Sequence, residues 1–279
     1  MSIIRQCEYR MPTDLNFFHP RWPVFYEDNH LLALFKPAGL LAQGDHTGAP
    51  SLLDLAKQWL KERHQKPGRV FLGLVHRLDR PVAGVMLLAR TSKAAARLSA
   101  QFRSGSTQKI YMAVVEGVPI NRSVSLSHHI ERRGRWCGIV PTATSHSREA
   151  HLHFQLIDSI AERSLLRVVL ETGRKHQIRL QLSQAGLPIV GDVRYGASAP
   201  LSSRQIALVA KELTIEHPTR RMKVRFVSPL PAGWPWPMSP VSHSLPFWNW
   251  NDFSLDKDPM VQIGTEFRRG STSGSTDGT

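Results

Sequence analysis

The longest unbroken apolar run in the chain, about Ala83 to Ala89 (AGVMLLA), follows Arg80-Pro81-Val82 and is closed by Arg90. A bilayer-spanning helix needs about 18 apolar residues, so this run predicts a buried strand and argues against an integral membrane protein. Other strand-like stretches are equally short. VFYE and HLLALF, separated by Asp28-Asn29 and closed by Lys36-Pro37-Ala38-Gly39, read as a hairpin. Further strands are expected at 110–116, 151–157, 165–171, 205–208 and 222–227. Helical spacing of apolar residues appears at 52–63 and again after Thr91 or Ser92, where Ala95, Leu98 and Phe102 form the buried face and Gly105 the end. Lys93, Arg97 and Gln101 form a basic stripe on the other face. Short strands joined by turns predict an α+β fold, a largely antiparallel mixed sheet with flanking helices.

Residues 1–23, with Pro12, Pro20 and Pro23, read as an N-terminal arm, and 24–230 as one domain. Residues 231–279 form a Pro/Trp-rich and then Gly/Ser/Thr-rich tail, its end expected to be disordered. Lysine and arginine number 36 against 22 acidic residues, and residues 1–230 alone carry +16. A folded part so basic favours a polyanionic partner, either nucleic acid or an anionic membrane surface. Cys7 and Cys137 form no CxxC pair, which removes a disulfide framework and a cysteine zinc site and fits a reducing cytoplasm. The N-terminus lacks a signal-peptide pattern.

Two segments could carry chemistry. In His76-Arg77-Leu78-Asp79-Arg80, an acid stands between two arginines at the edge of the apolar strand. Such a carboxylate is held ionised and could serve as nucleophile, as general base, or simply as a salt-bridge partner. His76 and Asp79 at spacing three lack the further ligands a metal would need. In the second segment, Arg174, Lys175, His176 and Arg179 follow Thr172, a candidate cap. They are expected in the first two turns of a helix with an Ile178, Leu182, Ala185 stripe. Cations there oppose the helix dipole, which points to a nearby anion, with a solvated basic face as the alternative.

Lys109-Ile110-Tyr111 opens a strand whose tyrosine could stack on a base or simply pack. The run Glu131-Arg132-Arg133-Gly134-Arg135-Trp136, expected to lie between strands, mixes arginines with an indole as phosphate-clamping, base-stacking surfaces do. Thr219 to Lys223 reads as a basic hairpin tip. His128, His129, His146, His151 and His153 are taken as structural.

Four segments in order, FKPAGLLAQG, HRLDRPVAGVMLLA, KIYMAVVEG and TGRKHQIRLQLSQAGLPIVGDVRYG, resemble the RluA-type RNA pseudouridine synthases over roughly residues 24–230. The resemblance implies the synthase catalytic fold and isomerisation of uridine in structured RNA, tRNA or rRNA. It makes Asp79 the catalytic aspartate, Tyr111 the active-site tyrosine and Arg179 the aspartate's partner. Arg77 resembles the residue that fills the gap left by a flipped nucleotide, and base flipping fits because the reacting atoms are unreachable in a stack. The other candidate RNA contacts are Arg80, Lys109, Arg132, Arg133, Arg135, Arg174, Lys175 and His176. No metal or organic cofactor, no membrane and a cytoplasmic monomer are expected.

Val82-Ala83, Gln181 and Val209 depart from the common pattern. With only some 23 residues ahead of the domain, an S4 RNA-binding module is expected to be missing, so that RNA affinity would rest on the domain's own charge. The alternative reading is a non-catalytic RNA-binding or ribosome-assembly protein, which would need the arginines but not Asp79.

Overall fold

The computed structural model describes residues 17–19, 22–134, 136–201, 205–230 and 234–237. Their strands are β1 (Phe17–His19), β2 (Trp22–Glu27), β3 (Leu31–Lys36), β4 (Gly73–Leu74), β5 (Ala83–Ala89), β6 (Gln108–Glu116), β7 (Ser123–Arg133), β8 (Trp136–Val140), β9 (Ser147–Ile160), β10 (Arg163–Leu170), β11 (Leu208–Glu216) and β12 (Lys223–Val227). Three helices flank them, α1 (Leu52–Arg63), α2 (Ser92–Ser104) and α3 (Gln177–Gln184), with a 3₁₀ turn at Val193–Tyr195. The strands form one sheet in the order β1-β2-β3-β5-β11-β6-β10-β9-β7-β8, with β12 on β11 and β4 on β5. The β5–β11 contact is parallel, and the other pairings are antiparallel. The expected α+β class holds.

Burial on both faces explains the apolar run at 83–89. Leu31, Ala33, Phe35, Val85, Leu87 and Ala89 enter the main core, which also takes Ala94 and Leu98 of α2. The alternating set Leu32, Leu34, Met86 and Leu88 enters a second core against Leu52, Leu55, Ala56, Trp59 and Leu60 of α1. A strand with helices on both sides has no face left for polar residues. Ser51 caps α1, Thr91 caps α2, and Gly105 ends α2 in the left-handed region at φ 74°. The Lys93, Arg97, Gln101 stripe is partly docked: Arg97 donates to Pro218 O, and Gln101 exchanges bonds with the Glu216 backbone.

Gly84 marks where β5 meets β11. Its φ is +124°, and a Cβ there would stand 2.3 Å from the Ala210 carbonyl oxygen. Only glycine permits that approach.

Several expected boundaries move. The sheet already begins at Phe17, inside the expected arm. Residues 123–133 and 136–140 are paired strands, so the 131–136 run does join two strands, as the tip of a hairpin, with Glu131, Arg132, Arg133 and Trp136 inside the strands themselves. The strand expected at 205–208 runs over 208–216, where Lys211, Glu212 and Glu216 mask its alternation. Trp234 and Trp236, expected in the tail, are buried in the main core, which also takes Leu230, because large indoles gain by leaving water. The disorder expected at the tail's end lies outside the described residues, as does Arg135. No described helix is long and apolar enough to cross a membrane.

Candidate active site

Asp79 sits in the loop leading into β5. Leu78 anchors that loop in the main core, and Val82 N donates to Asp79 O at 3.0 Å. From beneath, the buried Lys36 donates to Pro37 O, Leu40 O and Arg80 O at 2.8, 2.8 and 3.2 Å. Burial pulls the Lys36 amine down to about 7, while the Asp79 charge pulls it back up. Arg80 donates through Nε to Gly39 O at 2.8 Å, and Gly39 N donates to Arg80 O at 2.7 Å. Arg80 therefore ties two loops together, and its guanidinium is engaged in the fold. Arg77 is exposed beside Asp79.

Arg179 comes from the first turn of α3 and reaches Asp79 Oδ2 through Nη1 at 3.3 Å. Its other nitrogens form a two-point pair with Asp192, Nε to Oδ2 at 2.6 Å and Nη2 to Oδ1 at 2.8 Å. Arg179 and Asp192 are 6% and 2% exposed, so the guanidinium is fixed before it meets Asp79. Although burial opposes its charge, the Asp192 pair and Asp79 raise the Arg179 pKa. Asp192 went unassigned in the sequence; the signal was a second acid in the same segment as an arginine at a buried helical position.

Tyr111 lies on β6, half-buried, and burial followed by the Asp79 charge raises its phenol well above the ordinary range. Its hydroxyl keeps its proton at any working pH. Lys109 donates to Glu171 O at 3.2 Å. His76 is structural: Nε2 accepts from Leu87 N at 2.9 Å, the ring stacks on Phe102 at 4.8 Å, and burial, then Lys109, pushes its pKa to about 4.

The helix carrying Arg179 starts later than expected, at Gln177. Arg174, Lys175 and His176 therefore precede it in a loop and do not occupy its first two turns. The reason is local: Gln177 Oε1 accepts from Thr172 Oγ1 and Arg174 N, both at 2.9 Å, which closes the loop back on itself. Ala185 is the exposed C-cap and not part of the buried stripe. Arg174 and Lys175 are exposed, Arg174 donating to Glu149 O and Lys175 O accepting from Cys137 Sγ. His176 is turned inward, with Nε2 3.7 Å from Asp79 Oδ2. Gln181 is fully buried and donates to Leu126 O and Ala150 O, which locks α3 onto β7 and β9.

Ile130 and Cys137 of the β7–β8 hairpin cluster with Ala150 of β9 and Leu180 of the same helix. At its tip Arg132 and Arg133 are exposed, Arg133 pairing with the buried Glu131, and Trp136 is 48% exposed. His153 is bonded by Ser123 and Ser125, and His128 by Gln181. Among the described residues, no three His, Cys, Asp or Glu side chains are grouped to hold a metal ion.

The structure thus brings together Asp79, Arg179, Tyr111 and His176 from segments separated by up to 100 residues. Among solved structures, the fold resembles that titled "Human RNA Pseudouridylate Synthase Domain Containing 4", at TM-score 0.64 and 24% identity, covering 76% of this chain and 89% of that one. A ribosomal large subunit pseudouridine synthase D of Pseudomonas aeruginosa is 33% identical over 232 residues, 77% of this chain and 70% of its own length. A ribosomal large subunit pseudouridine synthase C of Vibrio cholerae is 30% identical over 75% of this chain and 66% of its own length. The family described as RNA pseudouridylate synthase matches residues 30–184, a span that contains Asp79, Tyr111, His176 and Arg179. With its fold, its segment order and this match in agreement, the chain belongs to the RNA pseudouridine synthase family, in its RluA branch.

Proposed function

We propose that the protein isomerises specific uridines to pseudouridine in structured RNA, with Asp79 as the catalytic carboxylate. One observation carries the reading: Asp79 Oδ2 lies 3.3 Å from an arginine that a buried second acid already holds in place. A carboxylate so fixed can attack the ribose or remove a ribose proton while the base is detached, turned and rejoined through C5. Tyr111 stacks beside the target base, its hydroxyl protonated, and Arg77 fills the space that the flipped nucleotide leaves. Exposed Arg132, Arg133, Arg174 and Lys175 supply phosphate contacts. Large-subunit ribosomal RNA is the first substrate to test, because relatives named for it share a third of their aligned residues with this chain.

The experiment is pseudouridine mapping of total RNA with and without the protein, followed by single-turnover conversion of the mapped RNA by wild type and Asp79→Asn. Loss of conversion with RNA binding retained is expected. Conversion by Asp79→Asn at a substantial rate would end the assignment. RNA bound but never modified by wild type would leave the binding-protein reading.

A further inference from the structure

Three elements meet at His176. Its Nδ1 lies 2.6 Å from the Tyr195 hydroxyl on the 3₁₀ turn, and its Nε2 lies 3.7 Å from Asp79 Oδ2. Arg179, which touches the same Oδ2, lies over the Tyr195 ring at 4.8 Å from its centroid. Residue 176 holds φ 55°, a left-handed conformation that costs a non-glycine residue on the order of 1 kcal/mol. It stands just before α3 but makes no side-chain cap bond there, so capping does not account for it.

Burial holds the imidazole's pKa well below the ordinary range against the upward pull of Asp79, and Arg179, Lys175 and Arg194 lower it further, so the ring is neutral at neutral pH. A neutral ring has one N–H and one lone pair. Burial also raises the Tyr195 phenol, which keeps its proton and can donate it to Nδ1. The reverse tautomer would turn the Nε2 lone pair toward a carboxylate, which is repulsive. The N–H therefore belongs on Nε2, the nitrogen facing Asp79.

We propose that His176 is a positioning residue for Asp79, presenting Nε2–H to Oδ2 while the Tyr195 hydroxyl fixes its tautomer and ring orientation. The inference rests on the synthase reading of Asp79. Both neighbours of the carboxylate then hold one oxygen, and among the described residues no side-chain hydrogen bond reaches Oδ1. At 3.7 Å the His176 contact is longer than a hydrogen bond. Its positioning role requires it to shorten to one in the RNA complex, as catalytic contacts often do on binding.

The test uses the full chain, single-turnover conversion of a mapped RNA at saturation, RNA affinity and thermal melts. Asn tolerates the left-handed backbone, and its amide reaches the Nδ1 position but places nothing at Nε2. His176→Asn is expected to slow the saturated rate about tenfold, as one lost charged hydrogen bond would, with RNA affinity within about twofold. Tyr195→Phe keeps the ring over Arg179 and is expected to slow it about threefold, with no further loss when added to His176→Asn. Weakened RNA affinity with an unchanged saturated rate in His176→Asn would make the residue an RNA contact and overturn the proposal. Multiplying losses in the double variant would also overturn it, since Tyr195 would then act independently of His176. Should His176→Asn not fold, Tyr195→Phe decides alone, and an unchanged rate defeats the idea. An Asp79→Asn protein that still converts RNA removes the synthase reading and this one together. An inactive Asp79→Asn beside a wild-type rate in His176→Asn removes only this one.

Discussion

Asp28 and Asp79 are both turn carboxylates beside histidines and arginines, and the fold treats them differently. Asp28 Oδ1 accepts from His30 N and Leu31 N at 2.8 Å each, while Oδ2 accepts from Tyr26 Oη at 2.9 Å and His217 Nε2 at 2.8 Å. Burial pushes its pKa up, but these donors outweigh burial and hold it below the ordinary range. Among the described residues, the one side-chain hydrogen bond that Asp79 receives falls on Oδ2, from Arg179 at 3.3 Å, and His176 approaches the same oxygen at 3.7 Å. A saturated carboxylate fastens the chain and has no lone pair left to offer. A half-used one, held in place by its neighbours, can do chemistry.

The largest effect separates the two. Asp79→Asn is expected to lower single-turnover conversion at least about 10³-fold with little change in melting temperature. Asp28→Asn should do the reverse, costing about 1–2 kcal/mol of stability with conversion per folded molecule unchanged. Equal losses of activity in both variants would erase the distinction. Next comes Arg179→Lys, which keeps the charge but cannot span Asp79 and Asp192 at once. Turnover should fall about a hundredfold, the melting temperature by a few degrees, and RNA affinity hardly at all. A lysine variant with wild-type turnover would show that charge alone suffices.

Titration sharpens the contrast further. Since Asp28 is held below its ordinary 3.8, the stability it supplies is fully present above about that pH and is lost as the pH falls through its lower folded value. Asp28→Asn should therefore have a shallower acid limb below about pH 3.8 in a urea-midpoint series. The smallest effect at neutral pH belongs to His76, neutral in the fold down to about 4 but protonated below 6.5 when unfolded. Its contribution is present above 6.5 and declines as the pH drops toward 4, so His76→Asn should flatten stability in that window. An equally steep decline in the variant would assign the slope to other groups.

The fold was legible where one period ruled. β3, β5, α1 and α2 show clear strand or helix spacing, and the structure places them where that spacing predicts. β7 and β11 were not, because serines, histidines and charged residues occupy their open faces, and a strand covered on one side only can carry them. At the site, Asp79 and Arg179 could be read from their segments, but the side chains that hold them could not. Lys36 gives a signal only in hindsight, continuing the Leu32, Leu34 alternation onto a buried face. Asp192 and the inward turn of His176 depend on how α3 is laid across the sheet, which no local pattern encodes.

The position of β11 has a bearing on when the site comes into being. Asp79 belongs to the half of the sheet that ends at β5, and Tyr111 to the half that begins at β6, with Arg179 packed on that second half. Between them lies β11, made of residues 208–216, joined to β5 by the pairs Val209–Ala83 and Ala210–Gly84 and to β6 along most of its length. A growing chain that has emerged only as far as residue 200 contains each candidate catalytic residue but lacks the strand that aligns one half with the other. Assembly of the site is therefore a late event in synthesis, set by a segment that contributes no side chain to the chemistry.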